Sequence, residues 1–221
     1  MLSSLRLFQL ISPSLPTGAF TYSQGLEYAV ECGWVKDELS LNHWLSSLLF
    51  SSYQELEIPL LKRFYDACID GDLKRFSYWI DFLVSCRETN ELRLEEKNRG
   101  RAMAKLLSDL DIEIPPDWLE TTKRCQAAGF GLAAARWQID LRSAALGYTW
   151  SWLDNMVMAA VKIIPLGQTA GQRVLADIGN LCSEVVENGL AIEDKNIGGS
   201  CPAFVIGSCL HETQYTRLFR S

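Results

Sequence analysis

DELSLNHWLSSLL, running from Asp37 to Leu49, decides the fold class. Asp37 is a residue type suited to cap a helix N-terminus. After it, Leu41, Trp44, Leu45, Leu48 and Leu49 fall at i, i+3, i+4, i+7 and i+8 and so line one face of a helix. The same period recurs outward from this run. Leu60, Leu61, Phe64 and Cys68 mark a following helix that Gly71 closes, and Phe76, Ile80, Leu83 and Val84 mark another. Thr89 to Leu110 is highly charged, with Glu95 and Arg99 at the i,i+4 spacing that supports an exposed helix face, and ends in Met103, Leu106, Leu107 and Leu110. Pro115 and Pro116 impose a connection, because proline lacks the amide donor and restricts its predecessor.

Downstream, Leu119 to Arg136 and Leu141 to Ile164 read as buried central helices rich in Ala, Leu, Trp and Met, the second ended by Pro165. Gln168 to Asn188 reads as one helix through Val174, Leu175, Ile178, Leu181, Cys182 and Val185, with Gly189 at the C-terminal cap position. Period-two alternation is nearly absent, and Val205 and Ile206 are the one place to expect extended chain. The expectation is an all-α, single-domain bundle of about ten helices spanning 1–221, with no internal repeat and no linker.

Composition narrows the function classes. The 221 residues are 48% hydrophobic and 22% charged, as in an ordinary globular protein. A formal charge of -6 and the lack of a basic run with interleaved aromatics argue against a nucleic-acid partner. The seven cysteines (Cys32, Cys68, Cys86, Cys125, Cys182, Cys201, Cys209) are odd in number and scattered, with no C-x-x-C, which is the pattern of reduced thiols in a cytoplasmic protein. The uncharged stretch Leu7 to Leu26 is interrupted by Pro13, Pro16 and Gly18, and Ser143 to Val161 by Asp154. Neither reads as a signal or membrane segment.

The sequence has no phosphate loop, dinucleotide fingerprint, nucleophile elbow or H-E-x-x-H. Of the two histidines, His43 lies among apolar helical positions and reads as a packing or surface residue. Cys201, Cys209 and His211 offer ligand types suited to a transition metal, but their spacing matches no standard site, so no stable metal centre is expected. Glu88, Glu91, Glu95 and Glu96 alternate with Arg87, Arg93, Lys97, Arg99 and Arg101 and read as a solvated, ion-paired helix face. Gly167 and Gly171 form a G-x-x-x-G that allows close helix packing.

Two segments are harder to explain as packing alone. SPSLPTGAFTYSQGLE, Ser12 to Glu27, puts two prolines and a glycine in an apolar loop and then starts a helix near Ser23. HETQYTRLFRS, His211 to Ser221, carries Tyr215, Arg217, Leu218, Phe219 and Arg220. Aromatic residues with arginine are the composition of interface hot spots, and the alternative for the second segment is a tail folded against its own core.

These two runs, together with Glu91-Leu-Arg, Glu95-Glu96, Gly100-Arg101, Tyr148 to Ser151 with Asn155, AAVKIIPLGQ (Ala159 to Gln168) and Gly171-Gln172, resemble the UreF family of urease accessory proteins over essentially the whole chain. Thr21 and Thr216 stand where serine is expected, and Cys201 and Cys209 are not family residues. The resemblance implies an all-α, non-catalytic cytoplasmic protein that binds no cofactor of its own. It implies a homodimer complexed with UreD (also called UreH) and the GTPase UreG, which supports GTP-dependent nickel insertion into apo-urease. It assigns partner docking, most plausibly to UreD, to an N-terminal segment (about 1–27) through Ser12, Pro13, Pro16, Gly18, Phe20, Tyr22, Ser23, Gly25 and Glu27. The tail (about 208–221) is assigned the same role through His211, Glu212, Tyr215, Arg217, Leu218, Phe219 and Arg220. In the tail, Tyr215, Leu218 and Phe219 would fill an apolar groove of the partner while Arg217 and Arg220 make charge-assisted hydrogen bonds. Lys162, Pro165, Gly167, Gln168, Gly171 and Gln172 are candidates for a GTPase-facing or dimer surface, or else a helix break that the fold requires. The alternative role is an activator or gate of the GTPase, with Arg173 or Arg142 as an arginine finger.

Overall fold

The computed structural model describes residues 2–110 and 112–221; Met1, the first residue of the expected docking segment, and Asp111 lie outside the description. Among the described residues the chain is all helical, without a strand. Helix α1 (Leu2–Ile11) leads through a single turn at Ala19–Thr21 to the short α2 (Leu26–Glu31). Then come α3 (Glu38–Leu48), α4 (Ile58–Asp70), α5 (Leu73–Ser85), α6 (Asn90–Asp109), α7 (Pro116–Thr122) and α8 (Gln126–Arg136). The order closes with α9 (Leu141–Ile163), α10 (Gln168–Gly179), α11 (Cys182–Leu190) and α12 (Pro202–His211).

The capping and periodicity read from Asp37 to Leu49 hold. Asp37 accepts the Ser40 amide at 2.9 Å in a reciprocal capping box, and Leu41, Trp44, Leu45, Leu48 and Leu49 are all buried. Between α3 and α4 the chain does not leave the helix but continues as a π segment, Leu49–Glu57. Pro59 has no amide to give Glu55, and the freed Glu55 carbonyl accepts the Gly198 amide at 3.0 Å. The approach leaves no room for a side chain: a Cβ on Gly199 would lie 2.2 Å from the Ser51 carbonyl oxygen.

The core centres on α8, where every residue from Gln126 to Ala135 is buried. Its alanines and glycines let α4 and α6 approach closely, with Phe64 and Leu61 of α4 packed against Gly131. Leu153, Met156, Val157 and Ala160 of α9 close the other side.

Three expected elements are corrected. Leu119 to Arg136 is two helices, because α6 intervenes: a Cβ on Gly100 would lie 2.7 Å from the Cys125 amide nitrogen, and Glu96 Oε2 accepts the Gln126 amide at 3.1 Å to restart the helix. Gln168 to Asn188 divides into α10 and α11 at Gly179 and Asn180, both poor helix formers, and Gly189 lies within α11 rather than past its end. There it packs on the Gln54 carbonyl and Ile58. Val205 and Ile206 are helical in α12, whose first turn is set by Pro202. Of the G-x-x-x-G pair, Gly171 packs against Val161, while Gly167 faces open space.

Candidate docking site

The two segments singled out in the sequence meet each other. After Gly18 the chain turns through Ala19–Thr21 and runs extended at Tyr22, then enters α2 through Gln24 (φ 51°) and Gly25 (φ 78°). Gly25 is required twice, for its left-handed backbone and because a Cβ there would lie 2.9 Å from the Ser208 amide nitrogen of α12. This corner aims three donors at one acceptor: the Ser221 main-chain oxygen takes the Ser23 amide (2.7 Å), the Gln24 amide (3.0 Å) and the Ser23 hydroxyl (2.5 Å). Arg220 donates its amide to the Thr21 carbonyl at 2.9 Å.

Glu27, buried in the first turn of α2, clamps the same strap from the side. Its two carboxylate oxygens accept the amides of Leu218 (2.6 Å) and Phe219 (2.9 Å). Its Oε2 also lies 3.1 Å from His211 Nε2, while His211 Nδ1 lies 2.7 Å from Glu91 Oε2. Glu91 completes the row by accepting Arg217 Nη1 at 2.8 Å. Glu212 Oε1 accepts the amides of Asn90 and Glu91 and so covers the start of α6.

Helix α6 therefore does not present a solvated acidic face. Glu91, Glu95 and Glu96 are buried, and Glu88 alone of the four is exposed. Glu95 accepts Arg99 (2.6 Å), the Gln24 amide group (2.9 Å) and the Ser221 hydroxyl (3.2 Å). Arg87 sits between Glu57 and Glu96, 2.6 Å from each, and the Tyr148 hydroxyl donates to Glu57 at 3.2 Å. Local spacing identified the ion pairing, but partners from remote parts of the chain bury it.

The electrostatics follow from this burial. For Glu96 burial acts upward, but the attraction of Arg87, their hydrogen bond and Arg99 outweigh it and hold the carboxyl below its usual range. Burial, then Glu57, pushes the phenols of Tyr53 and Tyr148 well up. Burial likewise raises the thiols of Cys68, to about 12, and Cys182, to about 11, so both stay protonated at neutral pH. The cavity among Arg87, Arg99, Glu57 and Tyr148 measures about 40 Å³, far below the roughly 300–1,000 Å³ of a small-molecule site.

Placed residue by residue, the sequence candidates divide into two sets. Tyr22, Ser23, Gly25, Glu27, His211 and Phe219 are buried at the seam. Pro13, Pro16, Phe20, Glu212, Tyr215, Arg217, Leu218 and Arg220 are exposed, with Ser12 and Gly18 in between. The picture of Phe219 and Arg217 reaching into a partner is corrected. Phe219 is 6% exposed in its own fold, with Lys162 Nζ 5.8 Å from its ring centroid, and Arg217 pairs with Glu91. Tyr215 is fully exposed and Leu218 is 65% exposed. Lys162, Pro165, Gly167, Gln168 and Gln172 are exposed, and Gly171 is a packing residue. Both ring nitrogens of His211 are committed to carboxylates, Cys209 is exposed and Cys201 half-buried; among the described residues no group of three or more His, Cys, Asp or Glu is placed to hold a metal. His43 is a surface residue of α3. Sequence reading missed Glu57 and Gln24 and put Arg87 on a solvated face, although a lone glutamate between the buried Leu56 and Ile58 was a usable signal.

No helix among the described residues is long and apolar enough to cross a membrane. The family model described as UreF matches residues 35–179. Relatives described as urease accessory protein UreF cover nearly all of the chain. The one from Alcanivorax borkumensis is 52% identical over 222 residues, covering 98% of this chain and 97% of that protein. Those from Pseudomonas putida strain W619 and Klebsiella pneumoniae are 46% and 42% identical, covering 100% and 98% of this chain and 98% and 97% of theirs. With the helical architecture and both end segments accounted for, the chain belongs to the UreF family of urease accessory proteins.

Proposed function

We propose that this chain is a non-catalytic cytoplasmic scaffold, a homodimer that joins UreD (UreH) and the GTPase UreG on apo-urease and supports GTP-dependent nickel insertion. UreG hydrolyses the GTP, and the complex handles the nickel. The observation that carries this reading is the strapped tail. Glu27, Glu91 and Glu95 hold residues 217–221 in place, so Leu218 stands in solvent on a fastened backbone, with the exposed Tyr215 just before the fastened segment. Exposed apolar anchors that are ordered before binding cost less entropy to dock. Phe20, 61% exposed, stands near the strap on the other segment, and α12 adds Ile206 and Leu210, neighbours at i,i+4.

In this reading Phe20, Tyr215, Leu218, Arg220, Pro13 and Pro16 meet UreD. Tyr22, Ser23, Gly25, Glu27, His211, Arg217 and Phe219 keep the presenting surface in shape. Lys162, Pro165, Gly167, Gln168 and Gln172 remain the candidates for a GTPase-facing or dimer surface. Tyr215→Ala together with Leu218→Ala, which removes the exposed side chains and leaves the clamped main chain in place, abolishes co-purification with UreD while leaving the circular dichroism spectrum unchanged; retained binding would overturn the assignment.

The two arginines of the alternative reading, a GTPase-activating finger, lie on the surface in ion pairs of the kind that contribute little. Arg173 makes a two-armed pair with Glu38, at 2.7 and 2.9 Å, and Arg142 pairs with Glu187 and Ser183. In the scaffold reading, single-turnover GTP hydrolysis by UreG is the same with the parent chain and with Arg173→Ala; a slower rate with the variant favours the finger.

A further inference from the structure

The burial of the α6 carboxylates has a counterpart on the other side of that helix. Residues two apart on a helix differ by about 200° around its axis. While Glu91 and Glu95 point inward to the tail, Arg93, Lys97 and Arg101 form a second row facing solvent, at i, i+4 and i+8. Like charges at this spacing repel. Among the described residues none of the three has a carboxylate partner, and the guanidinium of Arg93 donates to the Arg87 carbonyl, a neutral acceptor that leaves its charge uncompensated. The row borders a cleft of about 650 Å³ between α6 and the end of α7. Lys123 and Arg124, each paired with a carboxylate, add two further cations, and Val84 and Leu94 supply apolar wall, Leu94 being 46% exposed. In a chain of net charge -6 this is a local reversal of sign.

We propose that this cleft receives an acidic amphipathic helix of a protein partner, with carboxylates at i, i+4 and i+8 against Arg93, Lys97 and Arg101 and an apolar residue covering Leu94. The three cations span about 12 Å at 1.5 Å rise per residue, and a second helix presents carboxylates at the same pitch. Three features favour a protein helix over nucleic acid. No aromatic side chain lines the cleft for a base to stack on, part of the wall is aliphatic, and Glu120 and Asp81, paired with Lys123 and Arg124, place negative charge at the rim where phosphates would run. The proposal rests on the reading of the chain as a docking protein and adds a second contact surface on α6, one that adjoins the strapped tail at Asn90 and Leu94 and extends away from it along Arg93, Lys97 and Arg101.

The test uses the full chain co-expressed with urease and its accessory proteins, carrying Leu94→p-benzoylphenylalanine in one version and Tyr215→p-benzoylphenylalanine in another. Irradiation followed by peptide mass spectrometry identifies what each probe touches. The probe at 94 is expected to mark a segment with an excess of Asp and Glu at helical spacing, and Lys97→Glu with Arg101→Glu to lower the yield at least tenfold at an unchanged circular dichroism spectrum and melting temperature. Reversing the marked segment's carboxylates to lysine in the doubly substituted background restores the yield. Capture of nucleic acid, capture of a segment without acidic excess, or a yield indifferent to charge reversal overturns the proposal. So does silence at 94 while the probe at 215 reacts, which leaves the docking reading standing. Silence at both positions overturns the docking reading as well. An acidic segment from a protein outside urease maturation supports the cleft assignment and overturns the maturation role.

Discussion

Replacing Glu27 by glutamine should unfasten the tail without unfolding the protein. The carboxylate accepts two amides, Leu218 at 2.6 Å and Phe219 at 2.9 Å, one on each oxygen, with His211 Nε2 beside the second. A glutamine amide of the same size keeps one oxygen and turns an NH2 toward the other donor. One hydrogen bond to a charged group, worth about 1.5–3 kcal/mol, is lost and a buried N–H is left facing a donor. The remaining bonds at Ser221 and the ring of Phe219 still favour the closed strap, so the net loss is put at about 2–4 kcal/mol of local closing free energy. At about 1.4 kcal/mol per decade, the open population rises roughly 30-fold to 700-fold. Trypsin reads this directly, because Arg217 and Arg220 lie in the strap and cleavage tracks the open population when reclosing is fast. Amide exchange at Leu218 and Phe219 should accelerate by the same factor, while exchange in α8 stays at its parent rate. Cleavage and exchange within about twofold of the parent would refute the clamp, given the size of the loss expected from one charged bond.

Arg87→Met leaves Glu57 and Glu96 buried without their shared cation, a change expected to cost about 3–5 kcal/mol. In a chain of this size that lowers the melting temperature by roughly 6–20 °C, and a calorimetric shift near zero would show that the network does not bear on stability. Acid titration tests the same group from the carboxylate side. Glu96 titrates lower folded than its ordinary value of 4.5, so its contribution is fully present above that value and is lost as pH falls through the depressed folded value. Glu96→Gln should therefore lower stability at neutral pH and flatten the decline of stability below about pH 4.5; an acid limb of unchanged slope would contradict this.

How much of this was legible in the sequence depends on how local the cause is. Asp37, Gly71 and the row from Leu41 to Leu49 act through neighbours within two turns, and their roles stand as read. The break at Lys123–Cys125 is imposed by Gly100 and Glu96 of another helix, so no propensity near Leu119 announces it. The i,i+4 pair Glu95 and Arg99 is real, but whether it faces water is decided by Gln24 and Ser221, 71 and 126 residues away from Glu95. The two end segments stood out by their odd composition. That they grip each other could not be read, since Ser23 and Ser221 are 198 residues apart and nothing in either motif names its acceptor.

The proposed role as a scaffold for urease maturation is tested most directly by nickel content. Urease purified from cells that lack this chain but make urease, UreD and UreG is expected to contain little nickel and to hydrolyse urea poorly, and re-expression of the chain restores both. Normally loaded, fully active urease from those cells would contradict the account.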